Sequence, residues 1–156
     1  MTVDTRERFL RALAERLPAE RVDELYLFPA IRQGGTESAV VYLAEALARS
    51  GHRVVVFNEC GEPGEYGEVE YAPWQDLPRR ALADRPHVVV SVRHWEALGR
   101  MRLAPLQLFW SLDAYDQAPL TNLARHAARA EIDLFEVGSE WQAATFVEHH
   151  RIPAGQ

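Results

Sequence analysis

The stretch Gly34-Gly35-Thr36-Glu37-Ser38-Ala39-Val40-Val41-Tyr42-Leu43-Ala44-Glu45-Ala46-Leu47-Ala48-Arg49-Ser50-Gly51-His52-Arg53-Val54-Val55-Val56-Phe57 decides the fold class. Ala39, Val40, Leu43, Ala44 and Leu47 recur at the spacing of a helix with one buried face. Thr36 stands where an N-cap belongs, and Gly51 where a helix stops, because glycine accepts the left-handed conformation that ends helices. Val54 to Phe57 then runs apolar without alternation. Such a run suits a strand buried on both faces, the signature of a parallel sheet between helical layers.

The same alternation extends outward. Upstream, Leu25, Tyr26, Leu27 and Phe28 form a short buried strand ending at Pro29. Before it, Asp4 to Leu17 sets Phe9, Leu10, Leu13 and Leu17 on one helical face, with Arg6, Arg8, Glu15 and Arg16 mostly opposite, and Pro18 closes the segment. Downstream, Glu59 to Gly67 is rich in glycine and acids and reads as a surface loop. A short strand at Val69 to Tyr71 follows, then a helix over Trp74 to Ala83, a strand at His87 to Val92, and a short helix near Trp95 to Met101. Strands at Leu106 to Ser111 and Asp133 to Val137, with helices over Leu120 to Ala130 and Glu140 to His150, complete the order. Alternating elements of this kind predict an α/β domain with a mostly parallel sheet, helices on both faces and an extra N-terminal helix over residues 1–18. In such sheets ligands bind beyond the carboxyl ends of the strands.

The 156 residues, 47% hydrophobic and 26% charged, suit one folded domain with one core. A formal charge of -6 supplies no basic excess to neutralise phosphates broadly, which argues against nucleic-acid binding. The single cysteine, Cys60, excludes an internal disulfide framework and a cysteine-based zinc site, so a reducing, cytoplasmic setting is expected. Met1 to Leu17 carries acids and lacks the apolar core of an export signal, and no run approaches the length of a membrane span. Arg6, Arg8, Arg11 and Arg16 leave peripheral contact with a membrane surface open.

Four clusters fall at strand ends. Gly34, Gly35 and Thr36 follow the first strand and open a helix, where backbone N–H groups and the helix dipole favour a phosphate; a tight turn capped by Thr36 accounts for them equally well. Arg93, His94 and Trp95 follow the strand at His87 to Val92 and bring a cation, a titratable ring and a large aromatic, unless Trp95 only covers the sheet end. Asp113, Tyr115 and Asp116 follow the strand at Leu106 to Ser111; their carboxylates suit sugar hydroxyls or an acceptor nucleophile, or else cap a turn. Ser139 and Glu140 follow the last strand, with Ser139 placed as an N-cap. His149 and His150 are adjacent, so their side chains point in different directions on a helix, and no metal site is expected there.

Taken in order, Gly34-Gly35-Thr36-Glu37, Leu47 to Phe57, Val137-Gly138-Ser139-Glu140-Trp141-Gln142 and Arg151-Ile152-Pro153 resemble family four of the glycosyltransferases. The resemblance implies two facing Rossmann-like domains of the GT-B type, of which residues 19–156 correspond to the acceptor-side one. The donor-side domain, absent from this sequence, is expected beyond Gln156. The resemblance further implies a retaining sugar transfer from a nucleoside-diphosphate sugar to an acceptor, with no metal or other cofactor. In that reading Gly34, Gly35, Thr36 and Arg93 border the donor diphosphate, Asp113 and His94 are the catalytic candidates, and Tyr115, Asp116, Ser139 and Glu140 meet the acceptor. One departure stands out. Family members often carry a Trp-x-His-Asp-like segment, and here Trp110-Ser111-Leu112-Asp113 puts Leu112 in the histidine's slot. A non-catalytic nucleotide-binding or interaction module on the same fold is the alternative. A dinucleotide-dependent oxidoreductase is disfavoured, because the G-x-G-x-x-G spacing is missing.

Overall fold

A computed structural model describes residues 24–29, 35–98, 101–124 and 131–154. The expected N-terminal helix over residues 1–18, Gly34 and the last part of the helix expected over Leu120 to Ala130 lie outside them. Seven strands form one sheet: β1 (Glu24–Pro29), β2 (Arg53–Asn58), β3 (Gly64–Tyr66), β4 (Val69–Pro73), β5 (Val88–Val92), β6 (Leu106–Ser111) and β7 (Leu134–Val137). Their spatial order is β3-β4-β2-β1-β5-β6-β7, and every pairing is parallel except β3 with β4. Leaving out the antiparallel edge, the parallel strands follow the 3-2-1-4-5-6 order of a Rossmann-like sheet. The fold is therefore α/β with three layers, as the alternation predicts.

Helices α1 (Gly35–Arg49), α2 (Leu77–Asp84), α3 (Trp95–Leu98) and α4 (Glu140–His150) flank the sheet. Because successive strand residues point to opposite faces, β1 sends Leu25 and Leu27 to one cluster and Tyr26 to the other. Val40, Leu43, Ala44 and Leu47 of α1 belong to the first cluster. Leu77 and Ala81 of α2, Trp95 and Leu98 of α3, and Phe146 of α4 belong to the second. The change of face follows from the change of direction at β1: right-handed crossovers that run outward to β2 and outward to β5 must lie on opposite sides. α1 ends as its glycine predicts. Gly51 has φ +90°, its N–H donates to the Ala48 carbonyl at 2.8 Å, and the His52 N–H donates to Leu47 at 3.2 Å, the pair of bonds of a Schellman cap.

Three expectations are corrected. The loop expected over Glu59 to Gly67 contains β3, which turns at Gly67 (φ +65°) to pair with β4. Glu65 and Tyr66 are exposed, so this edge carries no apolar period to read. The helix expected over Trp74 to Ala83 is a 3-10 turn at Trp74–Asp76 followed by α2. The start of the helix expected from Leu120 is a 3-10 turn at Ala118–Leu120 with irregular turns to residue 124, where Pro119 suits the opening turn but supplies no donor for a longer ladder.

An ion-pair network ties α2 to the sheet. Arg80 bonds the Glu70 carboxylate and lies over the rings of Tyr26 and Phe57, 5.9 and 5.6 Å from their centroids. The Tyr26 hydroxyl donates to Asp84 at 2.6 Å, and Arg53 bonds Glu24 at 2.7 Å. The Arg80 hydrogen bond holds the Glu70 carboxyl below its ordinary 4.5, and the Tyr26 hydroxyl, with Arg80 behind it, holds Asp84 below 3.8. A carboxyl whose folded value is depressed stabilises the fold above its unfolded value and loses that contribution as pH falls through the folded one. Stability is expected to be level near neutrality and to decline below about pH 5. Glu70→Gln is expected to lower stability at pH 7 and to flatten this acid limb. Urea midpoints at pH 7, 5, 4 and 3 check it, and an unchanged pH profile in the variant would exclude Glu70 as its source.

Candidate functional site at the carboxyl ends of the strands

Strands β1 and β5 are neighbours although three crossovers, β1 to β2, β2 to β4 and β4 to β5, separate them in the chain, and Pro29 stands in register with Val92. Their carboxyl ends therefore frame the crevice where the chain's direction of winding reverses. Gly35 and Thr36, in the first turn of α1, follow β1 toward the same edge. Arg93, just past β5, has φ +66°, a left-handed conformation that costs a non-glycine residue about 1 kcal/mol or more. Its N–H donates to the Trp110 carbonyl at 3.0 Å, so the strand pairing fixes the bend.

That bend delivers the Arg93 guanidinium to Asp113 beyond β6. Nε donates to Oδ2 at 2.7 Å and Nη2 to Oδ1, a bidentate pair with Asp113 4% and Arg93 28% exposed. The Asp113 hydrogen bond raises the Arg93 pKa still further, so the cation is permanent. Two residues expected in separate roles, Asp113 as a catalytic group and Arg93 as a diphosphate ligand, are thus each other's partner. Both carboxylate oxygens of Asp113 are engaged by the guanidinium. The arrangement suits Asp113 to positioning Arg93, whose remaining N–H groups stay available on its exposed side.

Gln142 holds this pair in place. Its Oε1 accepts from the Gly138 N–H at 2.9 Å, and its Nε2 donates to the Asp113 carbonyl at 2.7 Å and the Ser111 carbonyl at 3.5 Å. Ser139 is the N-cap of α4, accepting from the Gln142 N–H at 3.1 Å. The Ser139-x-x-Gln142 spacing is that of a capping box, a signal present in the sequence. Here the glutamine reaches one residue beyond the cap and clamps the β6 and β7 loops together, which spacing alone does not reveal.

The remaining candidates spread around this centre. His94 is exposed, with Nδ1 3.4 Å from Glu96, and its carbonyl accepts from the Ser91 hydroxyl at 2.6 Å. Trp95 is fully buried in the second cluster and covers the sheet end. Tyr115 stacks on His149, ring centroids 4.0 Å apart and 10° from parallel, and meets Trp141 edge-on at 6.4 Å. His150 points elsewhere: its ring packs on Phe146 and its Nε2 lies 2.8 Å from the Tyr115 carbonyl. Asp116 and Glu140 are exposed, as is Leu112. Trp141, 62% exposed beside Tyr115, was not legible as a site residue, because an aromatic at one helical position has no signature. Among the described residues no group of histidine, cysteine and carboxylate side chains is arranged to hold a metal ion, and no helix is long and apolar enough to cross a membrane.

A further surface groove lies elsewhere. A groove of about 530 Å³ at the β3–β4 edge is lined by Arg53, Glu70, Tyr71, Asp76, Arg79 and Arg80, whose charges are paired with one another and with Glu24 and Asp84. No known family model, curated protein or solved structure matches the chain. The functional reading accordingly rests on the strand-end geometry and on the sequence motifs.

Proposed function

We propose that this chain is the acceptor-side domain of a retaining glycosyltransferase that uses a nucleoside-diphosphate sugar. One observation carries the reading: Arg93, bent into a left-handed conformation and held by Asp113, presents a fixed cation beside the winding reversal at β1 and β5. Strain of this kind is retained where the surrounding structure enforces it, and it clusters at ligand sites. A guanidinium on one side and the first turn of α1 on the other suit a diphosphate. Asp116 and Glu140, exposed and without a metal arrangement around them, suit acceptor hydroxyls, with Tyr115 and Trp141 offering ring faces. His94 is the titratable group left for proton handling.

The alternative, a nucleotide-binding module without transfer chemistry, draws support from the engagement of Asp113 by Arg93 and from Leu112 at the position of a family histidine. Titration with uridine, guanosine and adenosine diphosphate sugars, followed by NMR, separates the readings from a ligand-free fold. Binding is expected to be weak, about millimolar or roughly −4 kcal/mol, because one cation and one helix end leave most of a ligand in water. Shifts should centre on Arg93 and the start of α1 and vanish in Arg93→Ala. Shifts confined to the β3–β4 groove, or none at all, would remove the diphosphate assignment. Sugar transfer by the gene's complete product, lost in His94→Ala with donor affinity retained, would favour the enzyme over the module.

A further inference from the structure

Aromatic rings and carboxylates come together at two places in this molecule, and only one of them holds a cation of the chain's own. On the sheet, Arg80 lies over the rings of Tyr26 and Phe57 and is answered by the carboxylates of Glu70 and Asp84. Ring faces carry partial negative charge and carboxylates a full one, so both attract the guanidinium. The second place lies beyond β6, against α4. There the rings of Tyr115 and Trp141 are inclined at 63° with centroids 6.4 Å apart. Tyr115 is fixed: His149 stacks on its ring at 4.0 Å, and the His150 Nε2 lies 2.8 Å from its carbonyl. Trp141 is 62% exposed, so its ring is open to a ligand.

Each of these rings has an exposed acid beside it in the chain: Asp116 after Tyr115, Glu140 before Trp141 and Glu148 before His149. Trp141 and Glu148, seven residues apart, also fall on one face of α4. Adjacent residues are about 3.8 Å apart at Cα, close enough for each charge to act at its ring, since screening sets in over about 8–10 Å. Among the described residues no cation pairs with Asp116 or Glu140, and Glu148 meets only His149, 3.9 Å away. A neutral ligand draws nothing from this negative charge, whereas a cation uses the charge and the rings together. We propose that the corner formed by Tyr115 and Trp141 binds an organic ammonium group. Resting on the acceptor-side reading above, that group belongs to the acceptor, which is then an amine-bearing hydroxyl compound selected by charge.

The probes are choline and 3,3-dimethylbutan-1-ol, its neutral isostere with carbon in place of nitrogen. Each is titrated into the 156-residue chain and followed by NMR at the Trp141 indole N–H and the amides of α4. Choline is expected to shift these signals at about tenfold lower concentration than the isostere. Trp141→Ala, a change at an exposed position that leaves the core intact, should abolish the preference, and Glu140→Gln with Glu148→Gln should reduce it severalfold. Equal responses to the two probes, or a choline preference unchanged in Trp141→Ala, would overturn the inference. Uridine diphosphate glucose added to the choline-saturated chain should shift Arg93 without displacing choline. Displacement would give the corner to the donor and overturn its assignment to the acceptor. A choline preference with no response at Arg93 would support the ammonium site and remove the glycosyltransferase reading instead.

Discussion

Asp113→Ala is expected to destabilise the protein by about 2–4 kcal/mol, because it removes one partner of an ion pair and leaves the other partly desolvated. The Arg93 guanidinium cannot shed its proton, and its 28% exposure recovers only part of its hydration, which places the loss somewhat below that of a fully buried pair. In a chain of this size each kcal/mol corresponds to about 2–4 °C in Tm. Removing both partners in Arg93→Ala with Asp113→Ala should cost less than the sum of the single changes. Position 93 carries a second test. Its φ of +66° favours glycine, so Arg93→Gly is expected to be more stable than Arg93→Ala by about 1 kcal/mol. Equal stability of the two would mean that the backbone relaxes in solution, and a loss under about 1 kcal/mol for Asp113→Ala would show that the ion pair is not formed there.

Gln142→Ala is expected to cost about 1–3 kcal/mol, since it leaves the Gly138 N–H without its acceptor and the Asp113 carbonyl with only the longer bond from the Ser111 hydroxyl, 3.3 Å. Gln142→Glu is the sharper variant. It preserves an acceptor for Gly138 but aims a second oxygen at the Asp113 carbonyl, so it should be no better than alanine despite its matching shape. The functional consequence is separable from stability. With the β6 and β7 loops unclamped, Arg93 loses its fixed position, and weak diphosphate-sugar binding should fall about tenfold under conditions where the variant remains folded. Thermal melts and the NMR titration check the two effects. Full stability in Gln142→Ala would mean that the loops hold Asp113 without it.

Much of the fold is legible in the chain because parallel strands buried on both faces leave uninterrupted apolar runs, as at Val54–Phe57 and Val88–Val92. Helix ends are legible for a similar reason: Gly51 and Ser139 act within a few residues of themselves. β3 escaped notice because an exposed three-residue edge has no hydrophobic period, and the residues beyond Leu120 because a turn opened by proline can resemble a helix start. At the site, the sequence indicates which loops face the ligand but not how their side chains divide the work. Arg93 and Asp113 are 20 residues apart and follow different strands, and nothing local signals that one holds the other.

By itself, then, the sequence determined the α/β class, the positions of its main strands and helices, and the strand-end loops in which a site must lie. These are properties of hydrophobic period and of caps, which act over a turn or a strand. Strand order, the division of the helices between the two faces of the sheet, and the Arg93–Asp113–Gln142 arrangement were decided only in the tertiary structure. They depend on which distant segments become neighbours, a choice made by packing the whole core and by the handedness of its crossovers.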